Sequence, residues 1–185
     1  MEAPAITRYR RPFLAPLWLS LLALVVLAAG ALAFYRSTGT TLVLLMRPAE
    51  KDPGTIADPP LSAEGEERAQ RLARMFGEAS PAVGLDAIYV SDDRRAQQTA
   101  APLAERLHRP PTVFAGAEAV GIARHLLHEH VDGAVLVIAG GTSFPLVLRA
   151  LSGNEPPAVA PDDSEVMYLL SIPSFGRARL LRVRL

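Results

Sequence analysis

The most prominent pattern in the chain is a run of 23 uncharged and mostly apolar residues, 13–35, which ends just before Arg36. As a helix rising 1.5 Å per residue, this run is about 34 Å long, which exceeds a hydrocarbon core of about 30 Å. It is apolar on every side, unlike a helix with one buried face. The pattern predicts one N-terminal transmembrane helix at 13–35, between a tail at 1–12 and a linker at 36–40.

Two features leave a cleaved signal peptide open as an alternative. Residues 31–33 have the small-x-small form of a cleavage site, and Arg10-Arg11 resembles a twin-arginine export signal. The run is longer than the roughly 7–15 apolar residues of a signal peptide, which favours an uncleaved signal anchor. In both cases the N-terminal arginines hold the N-terminus in the cytoplasm. We therefore expect a single-pass protein of the inner (cytoplasmic) membrane, with its domain on the periplasmic or extracytoplasmic side.

After residue 40, short apolar runs alternate with amphipathic helical patterns. Strands are predicted at 41–46, 87–90, 134–139, 165–172 and 179–184. Helices are predicted from Ser62 to Gly77, from the turn at 91–94 to His108, and at 118–130. A fourth helix, with Pro145 in its first turn, is predicted to end at Gly153. Proline-rich loops are predicted at 47–60 and 156–161. This alternation predicts an α/β fold, a three-layer α/β/α sandwich with a mostly parallel sheet, in one domain at 41–185.

Composition narrows the classes of function. The 19 acidic side chains balance the 19 of lysine and arginine, which argues against a nucleic-acid binder. Cysteine is absent, which excludes thiolate metal sites and a cysteine nucleophile. His125, His128 and Glu129 have a spacing that suits a metal ion, but they end a surface helix, where cationic groups suit the helix dipole. No metal and no cofactor are predicted.

Three predicted loops follow the carboxyl ends of strands, and they begin at Arg47, Ser91 and Gly140. In open α/β sheets, ligands bind in the crevice at this edge. We therefore expect a binding site formed by these loops, although periodicity alone does not indicate the ligand.

Four segments in order along the chain resemble the histidine phosphatase superfamily, with its phosphoglycerate-mutase-like fold. The first-strand motif is resembled by LVLLMRPAEK at 42–51, and the segment after it by PPLSAEGEERAQRLA at 59–73. The second phosphate-binding segment is resembled by IYVSDDRRAQQTAAPLAERL at 88–107. The strand that ordinarily ends in Gly-His is resembled by VLVIAGGTSFPLVLRAL at 135–151. The compact length is most similar to that of the small phosphohistidine phosphatases.

The resemblance implies a particular chemistry. In this family a neutral histidine attacks phosphorus, and a second histidine and two arginines hold the non-bridging oxygens. A carboxylate usually protonates the leaving oxygen, and Glu118 is the candidate for that acid. The phosphate-binding residues implied for this chain are Arg47 and Arg95. Further residues expected to line the pocket are Glu50, Ser91, Gly141 and Thr142.

Both family histidines are missing at the positions where the resemblance places them. The position of the nucleophile, after Arg47, holds Pro48, whose amide nitrogen has no available lone pair. The position of the second histidine holds Gly140, which has no side chain. Asp92 and Asp93 also replace residues that are commonly uncharged, and their carboxylates would lower the potential felt by a phosphate.

Three hypotheses for the function follow. The first, which we prefer, is a membrane-anchored pseudophosphatase that keeps a two-arginine anion pocket and cannot form phosphohistidine; its partner would be a phosphate-bearing small molecule or a protein. The second is a weakly active phosphomonoesterase in which the arginines hold the ester while water attacks. The third is a non-catalytic, membrane-tethered docking or assembly module. The hydroxyls of Ser91, Thr142 and Ser143 have no identifiable base, which disfavours a replacement nucleophile.

Overall fold

The protein is described here from a computed structural model, which covers residues 15–37, 39–54, 57–77, 84–153 and 165–184. The chain divides into two compact units, Met1–Thr38 and Gly39–Leu185. The predicted tail at 1–12 and the predicted loop at 156–161 lie outside the described residues, as does one residue of the predicted linker, Thr38.

The first unit contains helix α1, Ala15–Ser37. Its large apolar side chains are exposed, from Leu17 to Phe34, and Trp18 is the most exposed of them at 79%. Among the residues that the structure describes, no helix combines the length and the apolar character needed to cross a membrane. The predicted transmembrane span at 13–35 is therefore not supported by the structure.

The second unit is an α/β domain built on a six-stranded sheet. Its strands are β1 (Thr40–Met46), β2 (Ala87–Ser91), β3 (Thr112–Phe114), β4 (Ala134–Ile138), β5 (Val166–Pro173) and β6 (Arg179–Arg184). Its helices are α2 (Ala63–Gly77), α3 (Arg94–Leu107), α4 (Ala119–Glu129) and α5 (Ser143–Ser152). A short 3-10 turn, Gly116–Glu118, precedes α4.

The strands lie in the order β3-β2-β4-β1-β5-β6. Strand β4 pairs in parallel with both β1 and β2, and β2 pairs in parallel with β3. Strand β5 is antiparallel to β1 and to β6, so the sheet ends in a hairpin at one edge. The predicted α/β fold with a mostly parallel sheet is confirmed, and the sheet is mixed rather than purely parallel.

The two faces of the sheet carry separate apolar cores. Val43 and Leu45 of β1 face α4 and α5, whereas Leu44 and Met46 face α2 and α3. Successive residues of a strand point to opposite faces, so a strand covered on both faces needs an unbroken apolar sequence. This explains the continuous apolar runs of β1 and β4.

Apart from one-residue shifts at the ends of other elements, the structure differs from the predicted elements in three places. Strand β3 was not predicted, because it has three residues and only Phe114 among them is buried, which is too short for a periodic pattern. Strand β2 extends one residue further, to Ser91. Helix α5 begins two residues before Pro145, which leaves the proline in the first turn, where it needs no intrahelical N–H bond.

Candidate functional site

The three loops singled out in the sequence lie at one edge of the sheet. Met46 and Val90, near the carboxyl ends of β1 and β2, are both in register with Ile138, the last residue of β4. Arg47 follows Met46 directly, and Gly140 comes two residues after Ile138. The parallel pairing therefore brings the three loops together, as expected for the carboxyl edge of an α/β sheet.

Arg47 is held by an aromatic ring from α5. Its guanidinium carbon lies 4.5 Å from the centroid of the Phe144 ring, which is fully buried. A guanidinium over an aromatic face at this distance makes a favourable cation–π interaction. The contact fixes the position of Arg47 beside the start of α5.

Arg95 is tied to the loop that carries Arg47. Arg95 Nη1 donates a hydrogen bond to the carbonyl oxygen of Ala49 over 3.3 Å. The amide of Ala49 donates to Thr99 Oγ1 over 3.0 Å, and that hydroxyl donates to the carbonyl of Arg95 over 2.7 Å. Helix α3 is thus bonded to the loop after β1, and both implied phosphate-binding arginines lie beside the same short segment.

Glu50 is engaged with α2. Its carboxylate forms an ion pair with Arg68, whose side chain is only 10% exposed. The amide of Ser62 donates to the carbonyl of Glu50, and Ser62 Oγ accepts the amide of Gly65, as a helix N-cap does. A Cβ atom on Gly65 would collide with the carbonyl oxygen of Glu50. Through these contacts Glu50 holds α2 against the loop after β1.

A serine and an aspartate fill the space beside Gly140. Ser91 is completely buried; its Oγ donates to Asp93 Oδ2 over 2.7 Å and accepts the amide of Gly140 over 3.1 Å. A Cβ atom on Gly140 would lie 2.6 Å from Asp93 Oδ2 and 3.4 Å from Pro48 Cγ. Atoms essentially never approach a Cβ as closely as 2.6 Å. The carboxylate of Asp93 therefore occupies the space into which a side chain at residue 140 would extend.

A second carboxylate lies at the N-terminus of α3. Both oxygens of Asp58 are within hydrogen-bonding distance of the amide of Arg94, at 3.1 and 3.2 Å. Asp58 comes from the proline-rich loop, and no local sequence signal pointed to it. Helix N-termini attract anions, and at the N-terminus of α3 the carboxylate of Asp58 provides this negative charge.

Other sequence candidates have local structural contacts. Gly141 takes a left-handed backbone conformation with φ of +47° in the turn after Gly140, and Thr142 makes no side-chain cap bond at the start of α5. Both are exposed at the carboxyl edge of the sheet. Glu118, the candidate acid, uses its Oε2 to accept the amide of Ala115 over 3.3 Å, which is a local capping contact.

The sequence profile of the histidine phosphatase superfamily (branch 1) matches residues 46–116. Over this segment the chain is similar in sequence to the histidine phosphatase superfamily. The match begins at the last residue of β1 and includes both Arg47 and Arg95. It ends at the turn before α4, so the loop at Gly140 lies beyond it.

Solved structures of histidine phosphatase type share the fold. The protein histidine phosphatase SixA, complexed with tungstate, is 18% identical over 77% of this chain and 96% of its own, with a TM-score of 0.59. A mycobacterial glucosyl-3-phosphoglycerate phosphatase is 18% identical over 76% of this chain and 97% of its own, with a TM-score of 0.60. At this identity the likeness establishes the fold. No curated protein sequence matches the chain.

The four histidines of the chain belong to other parts of the domain. His108 ends α3, and His125 and His128 belong to the second half of α4. His130 follows α4, and its Nε2 lies 3.1 Å from the hydroxyl of Tyr89. The edge that carries Arg47 has the guanidinium groups of Arg47 and Arg95, the hydroxyl of Ser91 and the carboxylate of Asp93. Such a set can bind charged groups, but it contains no imidazole nucleophile.

Proposed function

We propose that the domain is a pseudophosphatase, a histidine phosphatase fold that does not form phosphohistidine. The observation that carries this proposal is that Asp93 Oδ2 lies only 2.6 Å from the position that a Cβ atom on residue 140 would take. If the second family histidine belongs at residue 140, its side chain and the carboxylate of Asp93 would need the same space. The carboxylate of Asp93 is held in that space by the hydrogen bond that it accepts from Ser91 Oγ.

Pro48 supports the same conclusion. It follows Arg47, where the motif of the family places the nucleophilic histidine, and it is buried within 3.4 Å of the Cβ position of residue 140. A prolyl nitrogen is part of an amide, so it can neither attack phosphorus nor carry the transferred group. With neither histidine, the two steps of phosphoryl transfer through a covalent intermediate have no carrier.

The arginines leave one function open to the site, which is anion binding. Arg47 and Arg95 lie beside the loop after β1, and guanidinium groups match phosphate oxygens in geometry and charge. Asp93 and Asp58 oppose this, because carboxylates near the arginines weaken the attraction for a second anion. We therefore expect weak binding of a phosphate-bearing small molecule, or of a protein partner with an acidic or phosphorylated group.

Hydrolysis of p-nitrophenyl phosphate by the purified full-length chain tests the proposal. The chain and its Arg47→Ala variant should show the same background rate, with a cooperative unfolding transition as evidence that both are folded. Turnover that disappears in the Arg47→Ala variant would show a weakly active phosphomonoesterase instead, with water attacking an ester held by the arginines. Residual catalysis from an electrostatic site without its nucleophile has precedent in other enzyme classes.

Membrane anchoring through 13–35 is the second part of the proposal. The charge-free segment extends at both ends beyond the side chains that the structure describes, and the apolar side chains described in α1 are exposed. The arginines before it favour a cytoplasmic N-terminus and a domain on the periplasmic side. The chain should sediment with inner membranes and resist extraction by alkaline carbonate. A variant without 13–35 should be released, and equal release of both chains would refute the anchor.

A further inference from the structure

A second surface of the domain lies at the edge of the sheet opposite the arginines. Strand β1 begins at Thr40 and ends at Met46, just before Arg47. Seven residues of strand span about 20 Å, since each adds roughly 3.3 Å. The residue before the strand, Gly39, is the first of the second unit. The edge at which the chain enters the domain is therefore separated from Arg47 by the length of a strand.

Two loops flank Gly39 at this edge. The amide and the hydroxyl of Ser174, in the loop between β5 and β6, both donate to the carbonyl oxygen of Gly39, over 2.8 and 2.9 Å. On another side, Val131 Cγ1 lies 2.7 Å from the position of a Cβ atom on Gly39. The loop at 174–177 and the turn at 131–132 are thus fixed beside the entry point of the chain. We call these two loops, together with Arg179 at the start of β6, the entry surface.

The entry surface combines apolar and cationic side chains. Phe175 is 70% exposed and Val131 is 49% exposed. Arg177 and Arg179, after Phe175 in the same hairpin, are also exposed. The one carboxylate within these two loops, that of Asp132, accepts the amide of Thr40 over 2.6 Å and is thereby bonded to the backbone. Exposed aromatic and aliphatic groups next to arginines are typical of surfaces that lie in the headgroup region of a bilayer.

We propose that the entry surface docks on an anionic lipid surface, with Phe175 and Val131 immersed among the headgroups and the two arginines on lipid phosphates. This rests on the membrane anchor proposed above, which brings Gly39 within a few residues of the bilayer. The entry surface lies where the chain leaves the proposed anchor, and it carries two exposed arginines, both of which favour an anionic lipid surface as its partner. Docking in this orientation turns the edge that carries Arg47 and Asp93 away from the membrane, toward the aqueous compartment.

The absence of native cysteine allows a site-specific test on the full-length chain. Phe175→Cys would be labelled with a polarity-sensitive fluorophore and reconstituted into vesicles of phosphatidylcholine, with and without one quarter phosphatidylglycerol. The matched control is Val113→Cys, since Val113 is 50% exposed on β3, at the opposite side edge of the sheet from β6. Flotation of the same vesicles reports separately whether the chain is anchored.

The expected result is flotation of both labelled chains, with a blue-shifted and brighter emission at position 175 in phosphatidylglycerol vesicles and no change at position 113. Replacing Arg177 and Arg179 together with glutamine should lower the ratio of immersed to water-facing probe by roughly fivefold per arginine. Flotation with an unshifted probe at 175, or an equal shift at 113, would overturn the docking proposal and leave the anchor intact. A chain that does not float would refute the anchor, and the docking proposal with it.

Discussion

Asp93 Oδ2 lies 2.6 Å from the position that a Cβ atom on Gly140 would take. The carboxylate is held there by the buried hydroxyl of Ser91, which also accepts the amide of Gly140. The hydroxyl of Ser91 therefore joins the end of β2 to the segment after β4, and Asp93 accepts its hydrogen bond. Substitutions at Ser91, Asp93 and Gly140 should therefore change the stability of this edge and its affinity for anions.

Gly140→Ala should destabilise the domain by about 1–3 kcal/mol, because the added methyl group must displace Asp93 from its bond with Ser91. Urea unfolding measures the change. The matched control is Gly121→Ala in α4, where a Cβ would meet nothing within 4 Å and should stabilise by about 0.5–1 kcal/mol. In an Asp93→Ala background the penalty at residue 140 should shrink; an unchanged penalty would mean that Asp93 is not the obstacle.

Ser91→Ala should also destabilise the domain by about 1–3 kcal/mol, since the buried amide of Gly140 loses its hydrogen-bond acceptor. Thr142→Ala, two residues after Gly140, provides the comparison. Thr142 is exposed and makes no cap bond, so its loss should be close to neutral. Equal denaturation midpoints for Ser91→Ala and the unaltered chain would contradict the proposed role of the serine.

Asp93→Asn should strengthen the binding of inorganic phosphate by about tenfold, the equivalent of about 1.4 kcal/mol. The reason is that one negative charge is removed from the edge that carries Arg47 and Arg95. Isothermal titration in low salt measures the affinity. Asp92→Asn removes the same charge from the neighbouring exposed residue and should have a smaller effect, because exposed charges are screened by water and salt. Identical affinities for the two variants would argue against a pocket at Asp93.

Breaking the Glu50–Arg68 pair should cost more stability than replacing both of its members. Arg68→Met removes the guanidinium of Arg68 from the carboxylate of Glu50 and should destabilise by about 3 kcal/mol, the low end for a buried pair, because the side chain of Glu50 keeps 22% exposure. The double variant Glu50→Gln with Arg68→Met should recover part of that loss. Additive penalties in urea unfolding would show that the two residues do not interact energetically.

Tyr89 should make the stability depend on alkaline pH. Burial, and to a lesser extent the charge of Glu129, raises the pKa of Tyr89 above its usual 10.0. Below pH 10 this contribution to stability is fully present; above it the unfolded chain releases the phenolic proton first, and the contribution is lost as the pH rises through the folded pKa. Tyr89→Phe should therefore flatten the decline of the unfolding free energy above pH 10.

Ultraviolet titration of tyrosinate provides the direct check on this shift. Glu129→Gln should move the midpoint of Tyr89 toward 10.0, since it removes the smaller of the two causes. Subtracting the titration of Tyr89→Phe isolates this residue from the other three tyrosines. A midpoint at or below 10 in the unaltered chain would refute the shift.

Much of the fold was determined by local sequence pattern. The unbroken apolar runs of β1 and β4 specify strands covered on both faces, and the cap at Ser62 specifies the start of α2. The order of the motifs was enough to indicate the resemblance to the superfamily, which the profile match over 46–116 supports, whereas the phosphate-binding role of the two arginines stays a prediction. These features depend on residues close together in the chain, which is why periodicity and spacing predicted them. Strand β3 was not predicted, because its three residues are too few to form a pattern. It is a strand because it pairs with β2.

The contents of the site were decided by tertiary structure. The sequence indicated that Pro48 and Gly140 stand at the histidine positions implied by the resemblance, and that aspartates lie nearby. It could not indicate that Asp93 fills the space beside Gly140, since these residues are 47 positions apart and meet only when β2 and β4 pair. The same holds for Asp58 at the start of α3, and for Ser174 bonded to Gly39 across 135 residues. Contacts between distant segments follow from strand order and register, which no local pattern in the chain encodes.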